Sequence, residues 1–320
     1  MILITRIIVL VLLLQTNLAL ADDDRFELNL NYVMPIDEVR FNIASDVTGA
    51  NSPDVLSELE WDDMQLHRAH IQAKYRVVSQ LSVFAEAELG SFEDGDVQDS
   101  DYAGDGRTSE FSRSTATVDG KHHTGGAVGL SWQFNGKFEL PLWKMRNGKR
   151  MAFASDYSVS PTLGYALSTQ EIRFVDGVQV IPDLGSFPGL RSEYKTEWKG
   201  MFAGLNTRFR LLRDLEFVLD ARYFPDSNFK GIGSWNLRED LQNPTSFTDT
   251  ADASGYRLRY GLDWAISDNK SLNLSYYIAD FETDPGSAEV HTVFGISLFT
   301  RLNEATWKSR GWSVGFNWRF

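Results

Sequence analysis

Down most of the chain the apolar residues fall at every second position. Phe26, Leu28, Leu30 and Tyr32 alternate with Glu27, Asn29 and Asn31, and Ile71, Ala73, Tyr75 and Val77 alternate with His70, Gln72, Lys74 and Arg76. The same period runs through Val83 to Leu89 around Glu86 and Glu88, and through Leu130, Trp132 and Phe134. It returns from Leu215 to Tyr223, from Tyr256 to Ile266 and from Leu272 to Ile278. A period of two sends neighbouring side chains to opposite faces, so these segments read as strands. A soluble sandwich would alternate as well, but two features favour the opposite polarity. The apolar faces are rich in aromatics, with Trp and Tyr near strand ends, as membrane-interface girdles require. The other faces carry charges of both signs, as a narrow polar lumen would.

The last segment sharpens this. Trp312, Val314, Phe316, Trp318 and Phe320 alternate with Gly311, Ser313, Gly315, Asn317 and Arg319. Such a strand, with one wholly apolar face and a terminal aromatic, looks like the one read by the machinery that assembles bacterial outer-membrane barrels. The expectation is an all-β protein, a ten-stranded antiparallel transmembrane β-barrel. Closure follows because lipid offers no partner to the backbone groups of an open edge. Short turns are expected at 76–79, 212–214 and 267–270, with a longer connection at 135–150, all facing the periplasm. Polar segments at 43–53, 92–124, 176–191, 238–253 and 283–308 read as five outer loops, hence about ten strands. Several strand patterns exceed the ~9–11 residues that cross hydrocarbon, so the barrel should rise above the membrane. Trp143, Trp198, Trp235, Trp264, Trp307 and Trp312 are expected in the girdles. Of the strand-borne cations Arg208, Arg222, Arg257, Arg259 and Lys199, those facing the lumen should pair with Glu86, Glu88, Glu216 or Asp220 and plug it. A wide diffusion pore is therefore not expected.

Residues 1–21 read as an export signal: Arg6, the apolar run Ile7–Leu14, then Ala19 and Ala21 as an A-x-A cleavage site. Residues 22–320 would form the barrel. Composition narrows the function. The 320 residues hold 44 acids against 31 Lys and Arg, a net charge of −13 that disfavours nucleic acid. The absence of cysteine excludes a thiolate metal site and a Cys nucleophile, and suits passage through an oxidising compartment.

Several motifs resemble the omptins, outer-membrane proteases built as ten-stranded barrels. Ser57-Glu-Leu-Glu-Trp61 is similar to the family's second strand and Asp99-Ser-Asp101-Tyr102 to its Asp-x-Asp-aromatic motif. Asp183-Leu-Gly-Ser-Phe-Pro188, Tyr194-Lys195 and Gly204-Leu205 resemble its third outer loop and the strand after it. The resemblance implies a monomeric barrel in outer-membrane lipid. It also implies an extracellular groove in which an Asp pair faces an Asp-x-His pair, with His activating water for peptide hydrolysis. Asp99 and Asp101 match the first pair. Glu239 stands where the second Asp is expected, beside Asp240, and Leu241 stands where the His is expected. Lys195 matches a lipopolysaccharide contact and Glu197 replaces another; lipopolysaccharide is the one accessory molecule the resemblance implies.

Other readings of these residues stay open. The 93–101 segment is acidic enough to be a solvated loop, and 99–110 carries part of an EF-hand pattern, with Ala103 at one ligand position. A relocated base would have to come from His122, His123 or His291. His122 and His123 are adjacent on one strand and so face opposite ways, as do His67 and His70. The segment 224–235, with its Pro and Gly, reads as a bulge near the rim. Three functions remain: a divergent endopeptidase, a non-catalytic binding or adhesion barrel, and a narrow small-solute channel.

Overall fold

The computed structural model describes residues 25–144 and 150–320; the expected export signal at residues 1–21 lies outside the described residues. The strands are β1 (Phe26–Ile43), β2 (Ser57–Arg76), β3 (Leu81–Gly104), β4 (Thr108–Trp132), β5 (Phe134–Lys144), β6 (Arg150–Ile181), β7 (Gly185–Ser186), β8 (Ser192–Leu212), β9 (Leu215–Ser234), β10 (Phe247–Ser267), β11 (Lys270–Thr283), β12 (Gly286–His291) and β13 (Ser297–Arg319). All pair antiparallel in one sheet that closes on itself, β1 with β13 from Glu27↔Arg319 to Ile43↔Leu302. β4 and β5 follow each other along β6, β11 and β12 follow each other along β10 and β13, and β7 is a two-residue appendage on β6. The ring therefore has ten strand positions, as the alternation predicted.

Two expectations about connections are corrected. The 135–150 connection is largely strand, with β5 paired to β6 from Phe134↔Val159 to Lys144↔Arg150. The 92–124 segment is not an acidic loop but the upper half of the β3–β4 hairpin, paired up to Gly104↔Thr108. An EF-hand wrap of 99–110 is thereby excluded, since extended chain cannot coil its ligands round one ion. Among the described residues no three His, Asp or Glu side chains converge on a metal position.

The wall faces lipid through Tyr32, Met34, Leu130, Leu163, Leu262 and Trp312, all exposed. This band ends on β3 at Leu89, beyond which Ser91 and Glu93 face out, and on β10 at Tyr256, beyond which Ser254 and Asp252 do. Trp264 and Trp312 take the expected girdle positions, but Trp198 and Trp307 are buried inside and Trp235 packs on the same core. Trp143 lies outside the residues whose side chains are described. The correction has a simple cause: Trp307 is five positions from Trp312, an odd step, so it must face the other way.

Inside, the lower lumen is polar. Arg222 pairs with Glu86 and Asp220, Arg208 with Glu27, Asp263 and Glu216, and buried Arg68 with Glu88. Arg257 lies 5.6 Å from the ring centres of Phe224 and Trp307. Lys199 is not part of this plug; it faces outward and binds Glu197 at 2.7 Å. A void beside Arg68, Arg222 and Arg257 measures only about 40 Å³, room for a few waters at most. Above it the lumen turns aromatic. Phe281 stacks on Trp307, Tyr194 on Trp61, and Phe41 and Phe247 continue the column. An aromatic stack fills the upper barrel, where the alternation alone suggested a polar interior.

Candidate functional site

The aromatic column is the floor of an extracellular groove. Asp99 and Asp101 stand on one wall, ten and twelve residues past Leu89 on β3. At ~3.3 Å per residue that carries Asp99 roughly 33 Å along the strand beyond the lipid band. Both carboxylates face inward because β2, β3 and β4 all shift register just above the membrane. The shifts fall at Asp62–Leu66 on β2, opposite Phe92–Asp96 on β3, and at Val118–Lys121 on β4. Below them the inward residues of β3 are Phe84, Glu86 and Glu88; above them they are Val97, Asp99 and Asp101. A bulge inserts one extra residue and so exchanges the two faces. Gly95 sits at the shift with φ +157°, and a Cβ there would lie 2.8 Å from Met64 Cγ.

Asp101 lies between Ser57 on β2 and Ser112 on β4, and both hydroxyls hydrogen-bond its carboxylate. Asp99 lies between Leu59 and Ser114 and has no such donor. Burial and the neighbouring Asp101 charge push Asp99 up to about 7, with Arg238 opposing. Burial also raises Asp101, its two serine donors partly offsetting the rise.

The other wall is the 235–246 loop after β9. Arg238 forms a two-pronged bond to Asp240, at 2.8 and 2.7 Å. That bond holds Asp240 down at about 2. The Arg238 charge also acts on Asp99 and Asp101. The structure thus brings together Asp99, Asp101 and Asp240 through Arg238. Glu239 is exposed at the loop surface. Leu241 is buried and bridges to Thr292.

The five histidines are engaged elsewhere. His122 faces Glu171 and His123 is buried against Glu88, on opposite sides of β4. His291 contacts Thr248, Ser297 and Glu289. His67 meets Glu93 and Tyr32 outside the barrel, and His70 meets Asn31 and Glu86 inside it. Lys195 faces outward on β8, exposed, on the side that also carries Lys199 and Lys230. The 224–235 segment carries the expected bulge, at Phe224–Ser227 opposite Ala253–Gly255, yet remains strand.

Sequence reading missed Arg238. Its signal was present, a cation two residues before an acid in the loop that carries the second pair. It named Tyr194 only as part of a motif and missed its role: the hydroxyl donates to buried Asp249 at 3.1 Å beneath the groove. Burial pushes Asp249 up to about 7, and Tyr194 opposes the rise.

These features define a class: an omptin-like β-barrel of the bacterial outer membrane, with its groove on the extracellular side. The chain belongs to the Pom family, the Protochlamydia outer membrane proteins, which match it over residues 35–320. Among solved structures it is similar to the outer membrane protease OmpT from Escherichia coli, with 13% identity and a TM-score of 0.68 over 93% of this chain and 98% of that one. Weaker likenesses include the translocator domain of the Neisseria meningitidis autotransporter NalP, with 10% identity and a TM-score of 0.34 over 96% and 92% of the two chains. A Pseudomonas aeruginosa FadL homologue gives 10% identity and a TM-score of 0.31 over 93% and 91%. None of the curated proteins compared with it matches in sequence.

Proposed function

We propose that the protein is a non-conducting, non-hydrolytic surface barrel that attaches its cell to a facing lipid bilayer through the extracellular rim. One observation carries the reading. The tip of the β12–β13 hairpin holds Val293, Phe294 and Ile296 in its turn and Leu298 and Phe299 at the start of β13, all exposed, Phe294 to 83%. From Val290 to Thr300 the chain has no Asp, Glu, Lys or Arg, although 23% of the whole is charged. Five side chains at one hairpin tip fall short of the ~800 Å² per partner that a stable protein interface needs, whereas a convex apolar tip can enter a bilayer interface. The filled lumen argues against conduction, and the engagement of every histidine away from Asp99 and Asp101 argues against His-activated water.

The test uses cells displaying the full chain, counted on supported phosphatidylcholine bilayers. Attachment should fall to the level of non-displaying cells in F294D/I296D. Attachment equal to that of the unaltered chain removes the reading.

A second reading is favoured by the Asp99–Asp101 pair itself. Two neighbouring carboxyls of which one holds a proton near neutrality are an arrangement that can activate water without histidine. Cleavage of basic-residue peptides by refolded protein with lipopolysaccharide, lost in Asp101→Ala, would support an endopeptidase. No cleavage at any pH between 5 and 8 removes it.

A further inference from the structure

The periplasmic mouth carries a feature the extracellular reading does not use. Two adjoining cavities of about 630 and 510 Å³ open there, sharing Arg210, Glu216 and Arg319 in their walls. Each is within the ~300–1,000 Å³ typical of ligand pockets. The cavity is blind. Arg208 closes it with Glu27 at 2.8 Å and Asp263 at 3.1 Å, and Asn317 ties down Asp263. Above that layer lies the Arg222–Glu86 pair. Whatever enters from the periplasm stays in the cup, which makes it a site and not a passage.

Its charge runs against the rest of the chain. The two linings hold eight Lys and Arg against six Asp and Glu, in a protein of net charge −13. Arg208, Arg210, Lys137 and Arg213 are matched by carboxylates within 4.0 Å. Among the described residues, Lys74, Arg76, Lys270 and Arg319 have no carboxylate within that distance, and Asp268 is the one lining acid without a cation; Lys270 lies instead over the Trp318 ring, 5.0 Å from its centre. With Lys270 set aside on Trp318, three cations without a close carboxylate face one acid without a close cation. Between them stand Gln133, Asn135, Ser158, Asn206 and Asn269, side chains that both donate and accept. Phosphate would need donors only; a peptide needs cations for its carboxylates and mixed partners for its amides.

We propose that this vestibule is a binding site for an acidic peptide, its carboxylates held by Lys74, Arg76 and Arg319 and its main chain by the surrounding amides and hydroxyls. The site is independent of the extracellular rim, so rim variants leave it intact.

The probe is fluorescein-labelled hexaglutamate, read by anisotropy with the full chain refolded in a zwitterionic detergent. Binding should saturate, weaken with salt and be absent for hexaglutamine. It should weaken roughly tenfold in K74Q/R319Q, which loses two charged contacts, and stay unchanged in K308Q on the far side of the membrane. If K74Q/R319Q does not refold, judged by heat-modifiable migration, exposed Arg76→Gln supplies the same comparison at several-fold. No saturable binding, or equal binding by wild type and the refolded vestibule variant, overturns the proposal. Co-sedimentation with purified cell-wall sacculi separates two sources of the same chemistry. Sedimentation lost in the vestibule variant assigns the acidic stem peptides of the wall; hexaglutamate binding without sedimentation assigns a soluble acidic peptide.

Discussion

Asp99 offers the most direct check on the geometry of the groove. Its carboxyl sits at about 7 in the folded chain against 3.8 for an ordinary Asp. A raised acid binds its proton more tightly when folded, so between those values the folded chain holds more protons than the unfolded one. Stability must then fall as pH rises from about 4 to 7 and level off above that. A shift of this size corresponds to an upper bound of about 4 kcal/mol. Asp99 is only partly buried, so screening by solvent should reduce this to about 2 kcal/mol. Asp99→Asn removes the titration without changing shape. It should stabilise the barrel by about 2 kcal/mol at pH 8 and by almost nothing at pH 4, where the native carboxyl is already neutral. The assay is urea unfolding of the refolded chain in lipid vesicles, followed by tryptophan fluorescence at pH 4, 6 and 8, with Asp99→Asn and wild type in parallel. A midpoint difference that does not grow with pH refutes the inward placement of Asp99 beside Asp101. So does a variant less stable than wild type at pH 8.

Three further outcomes follow from other parts of the molecule. Arg222→Met leaves Glu86 and Asp220 facing each other without their shared cation and should cost about 3–5 kcal/mol in the same unfolding assay; a loss under 1 kcal/mol would show the pair to be hydrated. Tyr194→Phe removes the donor to buried Asp249 and should cost about 1–2 kcal/mol, more at pH 8 than at pH 5 because the lost bond favoured the charged carboxylate; carboxyl NMR should find Asp249 above its native value of about 7. Planar bilayers containing the refolded protein should show no conductance steps, since aromatic side chains fill the lumen from Phe84 to Phe247, and regular steps would mean that the column opens.

How far the sequence could be read depends on where the period of two survives. Within lipid it is unbroken, because a single slip would turn a whole apolar face inward and a charged one outward. Hence the ten-stranded ring, the lipid-facing Trp264 and Trp312, and the pairing of Arg222 with Glu86 all follow from alternation. Trp307 was within reach of the same rule, through its odd spacing from Trp312. Above the membrane that constraint is lifted. Water accepts either face, so the bulges at Asp62–Leu66, Phe92–Asp96 and Val118–Lys121 cost little there. Those bulges turn Asp99 and Asp101 into the groove, and alternation counted up from Glu88 would place both on the outer wall. The Asp-x-Asp motif located the pair, but only the register shift explains why it faces Arg238. The acidic composition of 93–101 suggested a loop for a related reason: a strand exposed to water outside and lining a groove inside needs no apolar face, so strand and loop look alike in sequence. The rim is therefore where a barrel of this kind can differ from OmpT while sharing its cylinder. It is also where Arg238 binds Asp240, the neighbour of Glu239, which stands at the position where the omptin resemblance expects the second acid.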